Sequence, residues 1–189
     1  MTPALLILLV VVILIAGWIL FLYNSLVARR SRVDEGWADI DVQLKRRHDL
    51  IPNLVNTAKG YATHERETLE AVINARNAAV SAQESGDTKA LAGAENMLTG
   101  MLRQVFALSE NYPALRANEN FLQIQQELSD TENKIQAARR FYNGQVRDYT
   151  VAIEQFPAVL IAKTLGFGKR EYFELEENSE EREVPKVEF

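Results

Sequence analysis

The sequence predicts an all-α protein: an N-terminal transmembrane helix, then an antiparallel four-helix bundle with long coiled-coil-like helices, then a short C-terminal extended tail with strand-like pieces. Three observations carry this. Residues 4–23 form an unbroken run without a charge or an amide. From Val33 onward, apolar residues recur at alternating steps of four and three, the period of a helical seam. Charge is also segregated along the chain. Residues 1–28 hold no Asp, Glu, Lys or Arg, residues 29–170 have a net charge of +1, and residues 171–189 have a net charge of −6. These shifts divide the chain into an anchor (1–28), a bundle (29–156), an apolar segment (157–170) and an acidic tail (171–189).

The apolar run, ALLILLVVVILIAGWILFLY, has twenty residues. At ~1.5 Å per residue a helix of that length spans ~30 Å, the thickness of a hydrocarbon core. Leu5, Leu9 and Ile13 lie inside it. Trp18 and Tyr23 lie toward one end, where aromatic rings favour the membrane interface. A cleaved signal peptide is disfavoured. The segment lacks a basic leader, is longer than the usual apolar stretch, and has no small-residue cleavage pattern before Asn24. Arg29, Arg30 and Arg32 follow the run, and basic residues stay on the cytoplasmic side. The expectation is therefore an outward N-terminus and a cytoplasmic bundle. The alternative puts the bundle on the opposite side of the membrane.

The first bundle helix carries its apolar positions at 33, 37, 40, 44, 51, 54, 58 and 61, with Arg47 breaching the seam. Pro52 sits inside this pattern. It removes the hydrogen bond to the carbonyl of His48, so a kink is expected rather than a stop. Gly60 marks the end, and Thr63 is the expected N-cap of the next helix. That second helix, about 64–84, presents Leu69, Val72, Ile73, Ala75, Ala79 and Val80, and Gly86 closes it. Asp87 is placed to cap a third helix, about 88–110, with Leu91, Ala94, Leu98, Met101, Val105 and Leu108 in its stripe. Asn111-Tyr112-Pro113 breaks the pattern.

The fourth helix, about 117–155, carries Phe121, Ile124, Leu128, Thr131, Ile135, Ala138, Tyr142, Val146, Tyr149, Ile153 and Phe156. Two successive steps of four, from 138 to 142 to 146, form a stutter. Short connections imply antiparallel neighbours. Residues 156–168, FPAVLIAKTLGFG, contain one charge in thirteen. Three readings stay open for them: a cover for the bundle end, an amphipathic stretch in the membrane interface, or a contact between subunits. For the last of these the contact residues are Phe156, Leu160 and Phe167, joined by Phe173, Val187 and Phe189 from the tail. The tail is either solvated or pairs its extended pieces with a neighbour's edge.

Chemistry is sparse. The chain has no cysteine and only His48 and His64, which excludes disulfides, thiolate sites and multi-histidine metal centres. His64-Glu65 begins like a zinc-protease signature, but Thr68 stands where the second histidine is required. His48 is expected at the surface or beside the kink, against a freed backbone carbonyl. Asp41 and Lys45 are read as a surface ion pair. The net charge of −5 gives no support for a nucleic-acid binder. Arg47 is the informative position. A buried guanidinium without a counter-charge is very costly, so a carboxylate from another helix should meet it, with Glu95, Glu127 and Glu132 the available choices. Alternatively, Arg47, Asn53 and Asn133, beside Glu132, line a groove for a partner peptide.

Several runs carry a family resemblance. They are GWADIDVQLKRRHDLIPNLV at 36–55, Gly60-Tyr61-Ala62 with His64-Glu65, YPAL at 112–115, Asn120-Phe121, ENKI at 132–135, ARRFYN at 138–143, Phe156-Pro157 and Gly166-Phe167. In this order the chain resembles the LemA family of bacterial membrane-anchored proteins across residues 24–189. The resemblance implies an N-terminal transmembrane helix with a helical bundle. It supplies no catalytic mechanism, and no kinase motif is present. The expected function is a non-catalytic, cofactor-free scaffold that self-associates at the bacterial plasma membrane, with a periplasmic bundle as the alternative orientation. The alternative is an adaptor or regulator of a membrane protease or envelope-stress machine.

Overall fold

A computed structural model describes residues 3–62 and 64–174 of the chain. The elements, in order, are α1 (Pro3–Lys59), α2 (Arg66–Ser85), α3 (Thr88–Ser109), the short α4 (Pro113–Arg116), α5 (Glu119–Glu154) and a 3₁₀ turn (Ala158–Leu160). No strand occurs among the described residues. Residues 171–174 have no regular structure, and the remaining tail, with Val187 and Phe189, lies outside the described residues.

The apolar run and the seam that begins at Val33, expected as an anchor and a first bundle helix, lie on one helix, because α1 runs from Pro3 to Lys59 without interruption. Pro52 lies within it and does not end it. The local signals at α2 and α3 act as their chemistry requires. Gly86 adopts φ 72° at the end of α2, a conformation that costs glycine nothing. Asp87 then accepts hydrogen bonds from the Lys89 and Ala90 amides at 2.9 and 3.0 Å, satisfying donors that α3 leaves free. Glu65, two residues after the expected Thr63, occupies the N-cap of α2 and makes no side-chain cap. Thr63 itself lies outside the described residues. The break at Asn111-Tyr112 holds, and Pro113 opens α4, where its missing N–H costs no bond. Asn118 caps α5 by accepting from the Phe121 amide at 3.0 Å.

The described chain divides into two compact units. The first joins the residues up to Ala38 with Arg140–Glu171, and the second contains Asp39–Arg139. The core of the second unit gathers Ile51, Leu54, Val55 and Ala58 of α1 with Leu69, Val72, Ala75 and Ala79 of α2. Leu98, Leu102 and Val105 of α3, Leu115 of α4, and Phe121 and Leu128 of α5 complete it. At one end, the Tyr112 hydroxyl donates to Glu65 at 3.1 Å and the Asn118 amide donates to the Tyr61 hydroxyl at 2.9 Å.

Two stripes differ from the sequence reading. In α3 the buried row is Leu91, Glu95, Leu98, Leu102, Val105 and Ser109, so Ala94, Met101 and Leu108 sit at its flank. In α5 the row passes through Arg139 instead of Ala138, which moves the two successive steps of four to 131–135–139.

In the first unit, Leu26 and Val33 of α1 and Tyr142, Val146, Tyr149 and Ile153 of α5 are buried. Trp37 and Tyr142 stack with ring centroids 5.3 Å apart. A methyl group on Gly36 would lie 3.2 Å from the Tyr142 Cα and 3.3 Å from the Phe141 ring. Gly36→Ala is therefore expected to destabilise this unit. Overpacking costs about 1–3 kcal/mol, and better helix propensity returns at most about 1 kcal/mol. A thermal unfolding scan should show a lower Tm than the parent.

Candidate functional site

The seam of α1 is breached at Arg47, and the structure surrounds that breach with partners. The guanidinium is nearly inaccessible, at 3% side-chain exposure, and Glu95 is fully enclosed, at 0%. Arg47 Nη1 lies 3.3 Å from Glu95 Oε2 and 3.2 Å from Glu132 Oε2. Arg47 Nη2 donates to the Thr99 hydroxyl at 2.6 Å, which itself donates to the Glu95 carbonyl at 3.0 Å. The other Glu95 oxygen meets His48 Nε2 at 2.6 Å. A carboxylate only accepts, so Nε2 carries the hydrogen. One side-chain network thus joins α1, α3 and α5. Both oxygens of Glu95 are spent within it, as satisfaction of a buried charge demands.

His48 departs from the sequence expectation. It is 2% exposed rather than at the surface, and it binds a carboxylate, not a carbonyl. The carbonyl that Pro52 frees is its own, and Arg76 of α2 supplies the missing donor, with Nε 3.3 Å from the His48 oxygen. The bond lost to proline inside a helix is thereby replaced from a neighbouring helix. Asp41 accepts from the Gln83 side-chain amide at 2.6 Å. Glu95 was legible as one of three possible partners. Its own signal is that it replaces an apolar residue between Leu91 and Leu98, the acidic counterpart of Arg47 in α1. Thr99 and Arg76 carry no such signal.

The expected groove is only partly assembled from the expected residues. An open, polar groove of about 390 Å³ is lined by Leu50, Asn53, Asn56 and Thr57 of α1 and Asn120, Gln123, Ile124 and Glu127 of α5. Asn53 belongs to it, and Arg47 does not. Asn133 is exposed and belongs to neither the groove nor the ion-pair network. Among the described residues, no three His, Cys, Asp or Glu side chains gather where a metal ion could sit.

The other notable region is the exposed run of α1. An 18-residue window there reaches a mean hydropathy of 3.4, and none of it is buried. Leu5, Leu9 and Ile13 are 51%, 47% and 61% exposed. At the end of the run, Phe167 folds against Tyr23, with centroids 5.6 Å apart, and lies under the Arg30 guanidinium at 5.3 Å. Arg170 pairs with Asp34 at 3.0 Å. Arg29 and Arg32 are exposed. Of the residues expected at subunit contacts, Phe167 and Phe173 are buried within the chain, so they are spent inside it. Phe156 and Leu160 are exposed, and Phe156 is thereby removed from the α5 stripe, which ends at Ile153.

The sequence pattern of the LemA family matches residues 36–189, most of the chain. This chain belongs to the LemA family. It is also similar to magnetosome protein MamQ of Magnetospirillum gryphiswaldense, at 25% identity over 178 residues, covering 82% of this chain and 65% of that protein. Magnetosome proteins MamQ 1 and MamQ 2 of Paramagnetospirillum magneticum match at 24% over 179 residues, covering 82% of this chain and 66% of theirs. The LemA-family chain thus spans about two thirds of the length of these curated relatives. Their names describe no reaction.

Breaking the enclosed pair should be costly. Arg47→Met leaves a buried carboxylate short of its counter-charge, and a loss of about 3–5 kcal/mol is expected in urea unfolding. With Glu95→Gln added, the double variant should lose less than the sum of the two single changes. Additive losses would show that the two groups are uncoupled.

A pH dependence follows from Tyr142. Burial pushes its phenol above the ordinary 10.0, with Arg170 opposing and Asp34 and Glu171 adding to the rise. Its hydroxyl donates to the Glu171 carbonyl at 2.8 Å. A raised folded-state pKa gives stability that is complete below the unfolded value and fades as pH rises through the folded one. Tyr142→Phe should therefore cost about 0.5–1.5 kcal/mol at neutral pH and flatten the alkaline fall in Tm. Tyr149, raised in the same direction by burial, keeps the remainder of that fall.

Proposed function

We propose that this protein is a membrane-tethered, non-catalytic scaffold that self-associates at the bacterial cytoplasmic membrane, with its N-terminus outside and its helical body in the cytoplasm. In this reading α1, α2, α3 and α5 run up-down-up-down as an antiparallel bundle. The observation that carries the proposal is the contrast within α1. From residue 4 to residue 18 its apolar side chains are exposed all round, which water penalises and lipid accepts. The same helix then continues into a packed core without a break.

The polar groups best suited to chemistry support the non-catalytic side of the reading. Arg47, His48 and Glu95 are enclosed and spend their bonds on one another, an arrangement that fixes helix register. The relatives are named for the magnetosome, a structure rather than a reaction. A second reading, an adaptor for a membrane protease or envelope-stress machine, draws on the groove between α1 and α5. Its amide side chains, Asn53, Asn56, Asn120 and Gln123, both donate and accept hydrogen bonds, as an extended peptide backbone requires.

One experiment separates these readings. The full chain and a version lacking residues 171–189 are purified in mild detergent, and the protein mass is measured by light scattering. Self-association predicts a defined multiple of 21.4 kDa for the full chain. A single copy in both samples rejects it. Crosslinking in cells, followed by mass spectrometry, should return mainly chain-to-chain links. A reproducible foreign partner bound at Asn53 or Gln123 would favour the adaptor.

A further inference from the structure

We propose that the turn after α5 is a second membrane contact, in which Phe156, Val159 and Leu160 enter the headgroup–acyl boundary of the bilayer that α1 crosses. This goes beyond the scaffold reading and rests on its anchor. The three side chains are among the most exposed large apolar groups outside the α1 run, at 80%, 47% and 69%. They project from a turn held in place by the buried Ala158, Ala162 and Phe167.

Their level relative to the anchor follows from the packing of the first unit. Tyr142 lies against Gly36 and Trp37. From there the buried row 142, 146, 149, 153 on α5 can only be matched within this unit by the row 33, 26 on α1. The two helices therefore run in opposite directions. Phe156 is fourteen residues beyond Tyr142, which places it level with about residue 22 of α1 at equal rise per residue. That is the last turn of the apolar run. The ring contact between Phe167 and Tyr23 independently brings the chain that follows the turn to the same end of the run.

The turn also suits an apolar setting. The amides of Val159, Leu160, Ile161 and Ala162 all donate within it, at 2.8–3.2 Å, so entry leaves none of these donors unsatisfied. Arg29, just after the apolar run of α1, and Lys163, just after Leu160, are both exposed, as suits cations that meet anionic headgroups. A contact with a second copy is the rival occupant. Three side chains on one turn fall well short of the roughly 1,000 Å² that a specific protein interface buries.

The test uses the absence of native cysteine. Nitroxide labels are placed on the full chain at Phe156→Cys and Leu160→Cys, with Ile13→Cys and Val42→Cys as references, in vesicles of phosphatidylethanolamine and phosphatidylglycerol. Accessibility to oxygen and to a water-soluble nickel chelate is then compared by electron paramagnetic resonance. Both turn positions should give an oxygen-to-nickel ratio several-fold above Val42 and below Ile13. Ratios equal to Val42, with Ile13 still deep, overturn the proposal and leave the anchor intact. An aqueous Ile13 overturns the anchor and the proposal together. Spin–spin broadening at Leu160 that disappears on dilution with unlabelled chain assigns the turn to a second copy and also overturns it.

Discussion

The guanidinium of Arg47, enclosed between Glu95 and Glu132, sets the terms for the second unit. A buried cation is tolerated only with counter-charge and full hydrogen bonding, so each helix that touches it loses rotational freedom. The α3 helix shows the effect. Leu91, Leu98 and Val105 can be buried with either of two flanking rows, one of Ala94, Met101 and Leu108, the other of Glu95, Leu102 and Ser109. The row that brings Glu95 inward is the one buried. Apolar stripes are interchangeable at modest cost, but a charge pair is not. The ion pair thus supplies directional information that hydrophobic burial lacks.

The same helix segment handles a second constraint. Pro52 leaves the His48 carbonyl without its helical donor, and Arg76 of α2 restores one. His48 meanwhile turns its ring to Glu95. Positions 47, 48 and 52 therefore couple α1 to α2, α3 and α5 through polar groups alone. This accounts for a charged, proline-containing stretch in the middle of a helix, where propensity by itself would discourage it.

The first unit obeys different physics. It contains only one stretch of α1, one stretch of α5 and the turn that follows, and its interior is lined by aromatic rings: Trp37, Tyr142, Tyr149 and Phe167. Close approach at Gly36 lets Tyr142 seat against the α1 backbone. Two helices bury little area alone, and large rings recover some of the deficit. The two ends of α1 are built for different surroundings: its N-terminal stretch is apolar and exposed, while its C-terminal stretch packs into the core of the second unit.

Much of this was legible in the residues themselves. The apolar run, the helical period, Gly86 and Asp87 act locally, and each has a single low-cost conformation, so sequence order determines the elements and their ends. A charge in a seam is likewise an anomaly visible in one dimension, and it demands a carboxylate whatever the fold. Only the tertiary structure decided which carboxylates answer it, that His48 lies inside, that Arg139 instead of Ala138 faces inward, and that Phe167 is buried while Phe156 is not. These outcomes depend on the rotation of one helix against another. Neighbouring rows on a helix differ by a small turn and nearly equal apolar area, so a single helix cannot distinguish them. Packing several helices around one ion pair does.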